Sequence, residues 1–281
     1  MSEEQIVVQL NPDVPPTGSD LGIVNAARKS FGRRSEWETV PTCWEAGDKI
    51  TWDGEYKLKD KDKRLLEFLA RGMTVDDFDT LLQSTEGLAT DHGLCESDKK
   101  DLVKHLWQWR NTPTHDTPFN HGFFSFEVKA PIFVARQLVK HEYLIMSEYS
   151  RRYITDDIEF YTPTVWRKAA EDVKQGSSDE GVEDVWQVSD EYQGITENAL
   201  NVYKHLVDVQ GVAPEQARMV LPQSLMTSWT YSGTLGAFAK LCRLRLAKDS
   251  QYETRLVAKE VYKHLCNQFP VAAPLLAEGV K

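Results

Sequence analysis

Apolar and polar residues alternate in two short stretches of the chain, which indicates strands with one buried face. In residues 123–128, FFSFEV, the side chains of Phe124, Phe126 and Val128 fall on one face and those of Ser125 and Glu127 on the other. Residues 6–10, IVVQL, show a shorter alternation ahead of a proline-rich loop. We predict that both stretches are strands.

Most other apolar residues recur at the spacing of three and four residues that is typical of amphipathic helices. Leu21, Val24 and Ala27 mark one helix, which closes at Gly32, and Pro214 and Glu215 open another. Further helices are predicted at LLEFLARGM (65–73), after an N-cap at Ser97 with Leu102, Leu106 and Trp109, over residues 191–207 with Ile195, Ala199, Val202 and Leu206, and in GTLGAFAKLCRLRL (233–246). Ser250 and Glu253 form a predicted capping box that opens the C-terminal helix, which favours a structural role for Ser250.

A helix that begins at Pro131 is predicted to carry an apolar stripe next to two polar ones. Ile132, Ala135 and Val139 form the apolar stripe. The polar pairs are Arg136 with Lys140 and Gln137 with His141, each four residues apart. We expect one side of this helix to pack while the other presents hydrogen-bond donors. From Ser147 the sequence SEYSRRY predicts an irregular loop rich in donors.

Residues 33 to 96 follow a less regular pattern than the rest of the chain. They contain Trp37, Trp44 and Trp52 and the charged run KLKDKDK. We interpret them as an insertion with a small helical core of its own, within a single catalytic domain that covers residues 1–281. A structural elaboration is favoured over a lid or a partner surface.

Composition and charge exclude several classes of protein. The 281 residues carry a formal net charge of −10, whereas a general nucleic-acid binder needs a basic face. The chain shows no signal peptide and no apolar run long enough to span a membrane, so we expect a cytoplasmic protein, or one in the host cytoplasm if it is viral. The four cysteines, at positions 43, 95, 242 and 266, form no CxxC pair, and no histidine spacing predicts a metal site.

The densest group of polar residues lies between Arg136 and Tyr153, directly after an apolar run. Arg151 and Arg152 are suited to bidentate capture of a phosphate, for which lysine is a weaker substitute. Arg218 stands beside the apolar residues MVLP, where it either snorkels to solvent or reaches a ligand. These residues predict a binding site for an anionic nucleotide.

Several ordered segments of the chain resemble the flavin-dependent thymidylate synthases. They are TPFNHGFFSFEVKAPIFVARQ (117–137), AARKSF (26–31), EFYTP (159–163), GVAPEQARMVLP (211–222) and LRLAKDSQYE (244–253). The signature of that family is an Arg-His-Arg triplet followed by a serine and an arginine. Here the triplet is Lys140-His141-Glu142, and the later residues are Ser150 and Arg152.

The resemblance implies an α/β (α+β) fold, with a central and mostly antiparallel sheet flanked by helices, in a homotetramer whose active sites draw on several subunits. It assigns to the deoxyuridylate the residues Gln137, Lys140, Glu148, Tyr149, Ser150, Arg151, Arg152, Arg218 and Arg245. It assigns to the flavin the residues Ser30, His115, Thr117, Lys140, His141, Glu142 and Lys240. Arg245 is the catalytic residue by this resemblance, because its guanidinium stabilises negative charge on the pyrimidine ring.

The departures from the family pattern lie on the flavin side. Glu142 places a carboxylate where the family has a second arginine, and a carboxylate beside a pyrophosphate is unfavourable unless it is paired. Thr234, Gly236 and Lys240 stand where the family commonly has Asn, Arg and Asn, and Asp249 where it often has His. These changes bear on how the FAD is held.

The resemblance implies a reaction without a protein nucleophile. A one-carbon unit passes from methylenetetrahydrofolate to C5 of dUMP, the hydride comes from NADPH, and FAD carries the redox chemistry. A second reading keeps the scaffold but ends in capture of water, which gives a 5-hydroxymethyl derivative of dUMP or dCMP. A third reading is a non-catalytic homologue that binds a nucleotide. Neither nucleic acid nor a membrane is expected as a partner.

Overall fold

A four-stranded antiparallel sheet forms the centre of the computed structural model, which describes residues 5–46, 49–91, 95–110, 115–150, 152, 157–170 and 177–277. Its strands, in spatial order, are β1 (Val7–Leu10), β4 (Phe123–Pro131), β8 (Met226–Thr234) and β5 (Leu144–Glu148). Strands β4 and β8 pair along their full length, from Phe123 opposite Thr234 to Pro131 opposite Met226. Two separate hairpins are formed by β2 (Glu38–Ala46) with β3 (Lys49–Lys57) and by β6 (Arg167–Ala169) with β7 (Ser177–Gly181).

The helices flank this sheet and fill the long connections between strands. They are α1 (Asp20–Arg28), α2 (Asp60–Arg71), α3 (Val75–Asp91), α4 (Glu96–Arg110), α5 (Ile132–Leu138), α6 (Val185–Lys204), α7 (Pro214–Ala217), α8 (Leu235–Arg245), α9 (Tyr252–Gln268) and α10 (Ala272–Ala277). A 3₁₀ turn continues α1 to Phe31, and Gly32, with φ of 62°, ends it as predicted. A π-helical turn, His205–Val209, extends α6.

The main core lies between the central sheet and helices α8 and α9. Phe124 and Phe126 are fully buried, and Phe126 packs edge-on against Phe238 of α8 with ring centroids 5.0 Å apart. Burying each such side chain stabilises the fold by roughly 1.5–3 kcal/mol. The predicted inward face of the strand is therefore confirmed. Ser125, predicted to face outward, is also buried, and its hydroxyl is satisfied there by that of Ser232 on the neighbouring strand, 2.8 Å away.

The segment predicted as an insertion contains both an expected and an unexpected element. Helix α2 confirms the helical pattern of residues 65–73, but its Leu66 and Leu69 lie in the main core. The prediction of a separate core is therefore wrong for α2. The hairpin β2–β3 was not predicted, because its strands do not alternate clearly and Pro41 lies within one of them.

Two helices exist where predicted but pack through other residues. On α6, Ile195 is 65% exposed, whereas Thr196 and Tyr203 are buried. The packed face is thus displaced by one residue, or about 100° around the helix, from the predicted stripe. Helix α4 begins at Glu96, so Ser97 lies inside it, and Leu106 is more deeply buried than Leu102. The side chain of Trp109 lies outside the described residues.

The segment from Pro131 to Glu148 differs from prediction at both ends. Pro131 is the N-cap of α5 and the last residue of β4, rather than part of the first helical turn. The helix ends at Leu138, so Lys140 and His141 follow it, and Val139 is 54% exposed instead of packed. Strand β5 continues to Glu148, where an irregular loop from Ser147 was predicted, because Ser147 and Glu148 pair with β8.

Candidate functional site

Helix α5 forms part of the wall of two cavities. Arg136 and the following Lys140 line one of them, and Gln137 lines the other. The two polar stripes of the sequence therefore serve different sites. We name the cavities the Arg218 cavity and the Arg245 cavity, after an arginine in each.

The Arg218 cavity, of about 770 Å³, brings together several of the residues assigned to the nucleotide. Those that line it are Lys140, Glu148, Tyr149, Ser150 and Arg218. The end of β5 is held against β8, since Thr227 Oγ1 donates to Glu148 Oε1 at 2.9 Å and the Tyr149 amide donates to the Ser228 carbonyl at 2.9 Å. Apolar side chains, among them Ile132 and Leu225, complete the wall.

The charges in the Arg218 cavity suit an anionic ligand. Of the described residues that line it, Arg136, Lys140 and Arg218 are cationic and Glu148 is acidic. This local excess of positive charge contrasts with the net charge of −10 of the whole chain. Arg136 was not assigned to the site, although its spacing from Lys140 was a signal that could have included it.

Of the two arginines that follow Ser150, the structure describes only Arg152. The backbone amide of Arg152 donates to Ser150 Oγ at 3.4 Å, which brings Arg152 next to a lining residue of the Arg218 cavity. Arg151 lies outside the described residues.

The Arg245 cavity, of about 540 Å³, lies at the end of α8. Arg245 Nε donates to His141 Nε2 at 2.9 Å, and its Nη2 donates to the carbonyl of Gln137 at 3.0 Å. The Gln137 side chain is held in turn, because Thr254 Oγ1 donates to its Oε1 at 3.1 Å and its Nε2 donates to Gln251. Arg245 is thus fixed in direction by a hydrogen-bonded chain from α5 to α9.

His141 acts as a neutral acceptor in this chain. Burial, together with the nearby charges of Arg245 and Lys240, lowers the pKa of His141 to about 4. At neutral pH the imidazole is therefore uncharged and can accept from Arg245. Both bonds of the guanidinium go to neutral acceptors, so they leave its positive charge for a ligand.

The predicted capping box at the start of α9 is wrong. The N-cap is Gln251, and within the described part of the chain the buried Ser250 Oγ has no hydrogen-bond partner. Glu253 binds Arg167 instead, with Nη2 to Oε1 at 2.6 Å. Ser250, Asp249 and Arg167 all line the Arg245 cavity. Arg167 carried no sequence signal, because its partner is distant in the chain.

A third cavity, of about 500 Å³, is lined by three of the positions that depart from the family pattern, Thr234, Gly236 and Lys240, and we name it the Lys240 cavity. Its polar lining consists of Asp116, Asn120, Tyr143, Thr234, Lys240 and Arg243. Thr234 caps α8 by accepting from the Ala237 amide at 3.3 Å, and it donates to Asn120 Oδ1 at 2.7 Å. A Cβ at Gly236 would lie 2.8 Å from Asn120 Oδ1, so the glycine leaves room for this bond.

The carboxylate of Glu142 is paired at the edge of the Lys240 cavity. Lys240 Nζ lies 3.8 Å from Glu142 Oε2, which offsets the negative charge that the sequence places there. Both side chains are substantially exposed, so this pair is weak and can exchange partners when a ligand binds.

The remaining residues assigned to the flavin lie elsewhere. Ser30 Oγ donates to the Ala27 carbonyl at 3.0 Å on an exposed helix end, and the His115 ring stacks on Phe68 at 5.9 Å. Thr117 begins a 3₁₀ turn that leads into β4. In the described structure these residues do not line the three cavities above, so their role stays a prediction.

The described part of the chain offers neither a metal site nor a membrane span. Its residues contain no group of three or more histidine, cysteine or acidic side chains that could hold a metal ion. No helix in the same ranges is long and apolar enough to cross a membrane.

Comparison with known proteins identifies the family. The family model described as thymidylate synthase complementing protein matches residues 17–271. The chain belongs to this family, that of the flavin-dependent thymidylate synthases. A flavin-dependent thymidylate synthase of Thermosipho africanus is 33% identical over 217 residues, which cover 75% of this chain and 90% of that protein. One of Thermus thermophilus is 35% identical over 171 residues, and this match spans 61% of each protein.

Solved structures confirm the fold. Two crystal structures of a UMP/dUMP methylase from Streptomyces cacaoi, bound with 5-Br UMP and with 5-Br dUMP, align with TM-scores of 0.63 and 0.64. They are 22% and 24% identical to this chain, cover 96% of it, and are themselves covered over 92% and 94%. The predicted α/β (α+β) class with a mostly antiparallel sheet is therefore confirmed.

Proposed function

We propose that the protein is a flavin-dependent thymidylate synthase, which transfers a one-carbon unit from methylenetetrahydrofolate to C5 of dUMP and, with NADPH as reductant, gives dTMP. The observation that carries this proposal is Arg245, whose guanidinium is held between His141 and the Gln137 carbonyl while its charge stays available. A fixed cation beside a pyrimidine ring stabilises the negative charge that makes C5 nucleophilic.

The other residues of the two cavities bind and orient the nucleotide in this proposal. The cationic lining of the Arg218 cavity receives the phosphate, with Ser150 as a further donor. The Gln137 side chain, held by Thr254 and Gln251, forms part of the cavity wall, while the Gln137 backbone carbonyl accepts from Arg245. The protein thus supplies position and charge rather than a nucleophile.

The separation of the two cavities supports a shared active site. Phosphate-binding residues line the Arg218 cavity and the ring-activating arginine lines the Arg245 cavity of the same chain. We infer a homotetramer in which one chain supplies the first set to a nucleotide and another chain supplies the second. This assembly explains why the assigned residues do not converge within one subunit.

The Lys240 cavity suits the flavin by the chemistry of its donors. Lys240 and Arg243 can offset the charge of a pyrophosphate, and Asn120 and Thr234 can form hydrogen bonds to it. The ring of Tyr143, which is 80% exposed, can stack on a flat ligand. FAD held there by these residues, once reduced by NADPH, would supply the reducing equivalents of the reaction.

One assay separates this proposal from its alternatives. Purified protein is incubated with dUMP or dCMP, methylenetetrahydrofolate, FAD and NADPH, and the product is identified by mass. A methyl product on dUMP supports the proposal. A hydroxymethyl product identifies a pyrimidine hydroxymethylase, the alternative that the altered positions on the flavin side motivate. Tight binding of nucleotide without turnover identifies a non-catalytic homologue.

A further inference from the structure

The hairpin β6–β7 is a small element that depends on side chains for its attachment. Its two strands pair through Arg167 opposite Gly181 and Ala169 opposite Ser177, and most of β7 is exposed. A two-stranded hairpin is only marginally stable by itself. The side chains that connect it to the rest of the fold therefore decide whether it stays in place.

Arg167 of β6 and Trp166, which directly precedes the strand, connect the hairpin to two different helices. Trp166 Nε1 donates to Ser189 Oγ of α6 at 3.0 Å, and its ring packs edge-on against Tyr192 at 5.1 Å. Arg167 reaches α9, where it binds Glu253 and lies 4.5 Å from the centre of the Tyr252 ring. The Trp166 carbonyl accepts from the Val182 amide, just after β7, at 2.7 Å, so Trp166 and Arg167 together tie the hairpin to both helices.

Arg167 makes the stronger of these connections. Its side chain is 17% exposed and that of Glu253 is 4% exposed, so the ion pair is little screened by solvent. Its Nε also donates to Ser177 Oγ at 2.8 Å. A single guanidinium thereby joins β6, β7 and α9, which the single ammonium group of a lysine cannot do in the same geometry.

The same residues form one side of the Arg245 cavity. Arg167 and Ser177 line it together with Gln137 and Arg245. We propose that Arg167 is a positioning residue, which through Glu253 and Ser177 holds the β6–β7 hairpin as a wall of the Arg245 cavity and so encloses the nucleotide. The enclosure of a nucleotide rests on the proposed function, whereas the wall itself does not depend on it.

The test compares two variants of the full chain. Arg167→Met with Glu253→Gln removes both charges, so that no unpaired charge is left buried. The matched control is Lys168→Met on the same strand, which removes only exposed ion pairs to Glu180 and Glu183 within and beside the hairpin. Three quantities are measured: hydrogen exchange of the amides of β7, the rate at which phenylglyoxal modifies Arg245, followed by peptide mass, and the steady-state constants for dUMP.

In the double variant we expect hydrogen exchange of the β7 amides to be about tenfold faster than in the wild type. Modification of Arg245 by phenylglyoxal should also be about tenfold faster. KM for dUMP rises about tenfold while kcat changes less than threefold, because the wall acts in binding. In the Lys168→Met control, the exchange rate, the rate of Arg245 modification and the steady-state constants should stay within about twofold of the wild-type values. A role in folding alone would instead lower kcat together with the fraction of folded protein.

Unchanged exchange and unchanged Arg245 modification in the double variant would overturn the proposal. Faster exchange with an unchanged rate of Arg245 modification would also overturn it, because the hairpin would then not be a wall of the cavity. Absence of turnover in the wild type contradicts the proposed function instead, and leaves the first two measurements to decide the role of Arg167.

Discussion

At the scale of single residues, hydrogen bonds fix the orientation of the Arg245 guanidinium. Arg245 donates to His141 and to the Gln137 carbonyl, and neither acceptor carries a charge at neutral pH. At an effective dielectric constant of about 20, a unit charge 4 Å away interacts with such a guanidinium by about 4 kcal/mol. A cation that is already oriented delivers this energy without reorganising during the reaction.

Replacing Arg245 by lysine tests this orientation. A lysine keeps the charge but cannot donate in two fixed directions to His141 and Gln137. We expect kcat for dTMP formation to fall by about 10²-fold or more, with an unchanged far-ultraviolet circular dichroism spectrum. Arg64→Lys, at a 67% exposed side chain on α2, is the matched control and should keep full activity. Full activity of the Arg245 variant would exclude the assigned role.

The pKa of His141 gives stability a defined pH dependence. Its pKa is about 4 in the folded protein and about 6.5 in an unfolded chain, so the unfolded state binds the proton first as the pH falls. The free energy of unfolding should therefore decrease from pH 6.5 to pH 4, by less than the limit of about 1.4 kcal/mol per pH unit for one proton, because solvent partly screens the half-buried ring.

The variant His141→Gln should reduce that slope, since glutamine can accept from Arg245 but does not titrate. The slope of stability against pH is measured from denaturant unfolding midpoints determined between pH 4 and pH 7. His105→Gln, on the exposed surface of α4, should keep the wild-type slope. An identical slope in the His141 variant would mean that this histidine does not couple folding to pH.

At the scale of elements, the residue before strand β4 and the residue after helix α9 lie in close contact. A Cβ added at Gly122 would lie 2.5 Å from Cζ of Phe269, whose ring is fully buried. The backbone at Gly122 has φ of −92°, which any residue adopts, so the constraint is steric. The glycine lets the start of β4 approach the end of α9.

Gly122→Ala should therefore destabilise the protein by about 1–3 kcal/mol, the usual cost of overpacking. Chemical denaturation with an unchanged m-value is the measurement. Adding Phe269→Leu should recover part of the loss. Gly194→Ala on α6, where a Cβ has open space, is the control and should be neutral or stabilising by up to about 1 kcal/mol. Equal effects at both glycines would contradict the steric argument.

Elements were predictable where local pattern and packing agree. Strand β4, the end of α1 at Gly32 and helix α8 follow from alternation, a left-handed glycine and a broad apolar face. The packed faces of α5 and α6 were not predictable from the sequence, because their apolar residues are compatible with more than one helical stripe. Which stripe is buried depends on the elements that pack against the helix. The capping box failed for a similar reason, since Glu253 gains more from the distant Arg167 than from a local cap.

At the scale of the whole molecule, sequence resemblance identified residues but not their partners. The assignment of Arg218 and Arg245 to one nucleotide came from family motifs, whereas the structure places them in separate cavities on different elements. The contacts that complete the Arg245 cavity, such as that from Arg167 to Glu253, join residues far apart in the chain. Such contacts follow from the packing of the chain, which local spacing does not encode.

Mixing inactive variants tests whether active sites are shared between chains. If one subunit supplies Arg218 and another supplies Arg245, tetramers assembled from equal amounts of Arg218→Ala and Arg245→Ala chains contain some intact sites. Random assembly makes about a quarter of the sites intact, so activity should return to about a quarter of the wild-type value. Co-expression with two affinity tags isolates the mixed tetramers.

The control mixes Gln137→Ala with Arg245→Ala. Both side chains line the cavity of one chain, so each site in this mixture keeps one defect and no activity should return. Recovery in the first mixture and not in the second supports a site built from different subunits. If neither mixture recovers while both form tetramers, one chain supplies both arginines to its own nucleotide, which must then reach from the Arg218 cavity to the Arg245 cavity past α5.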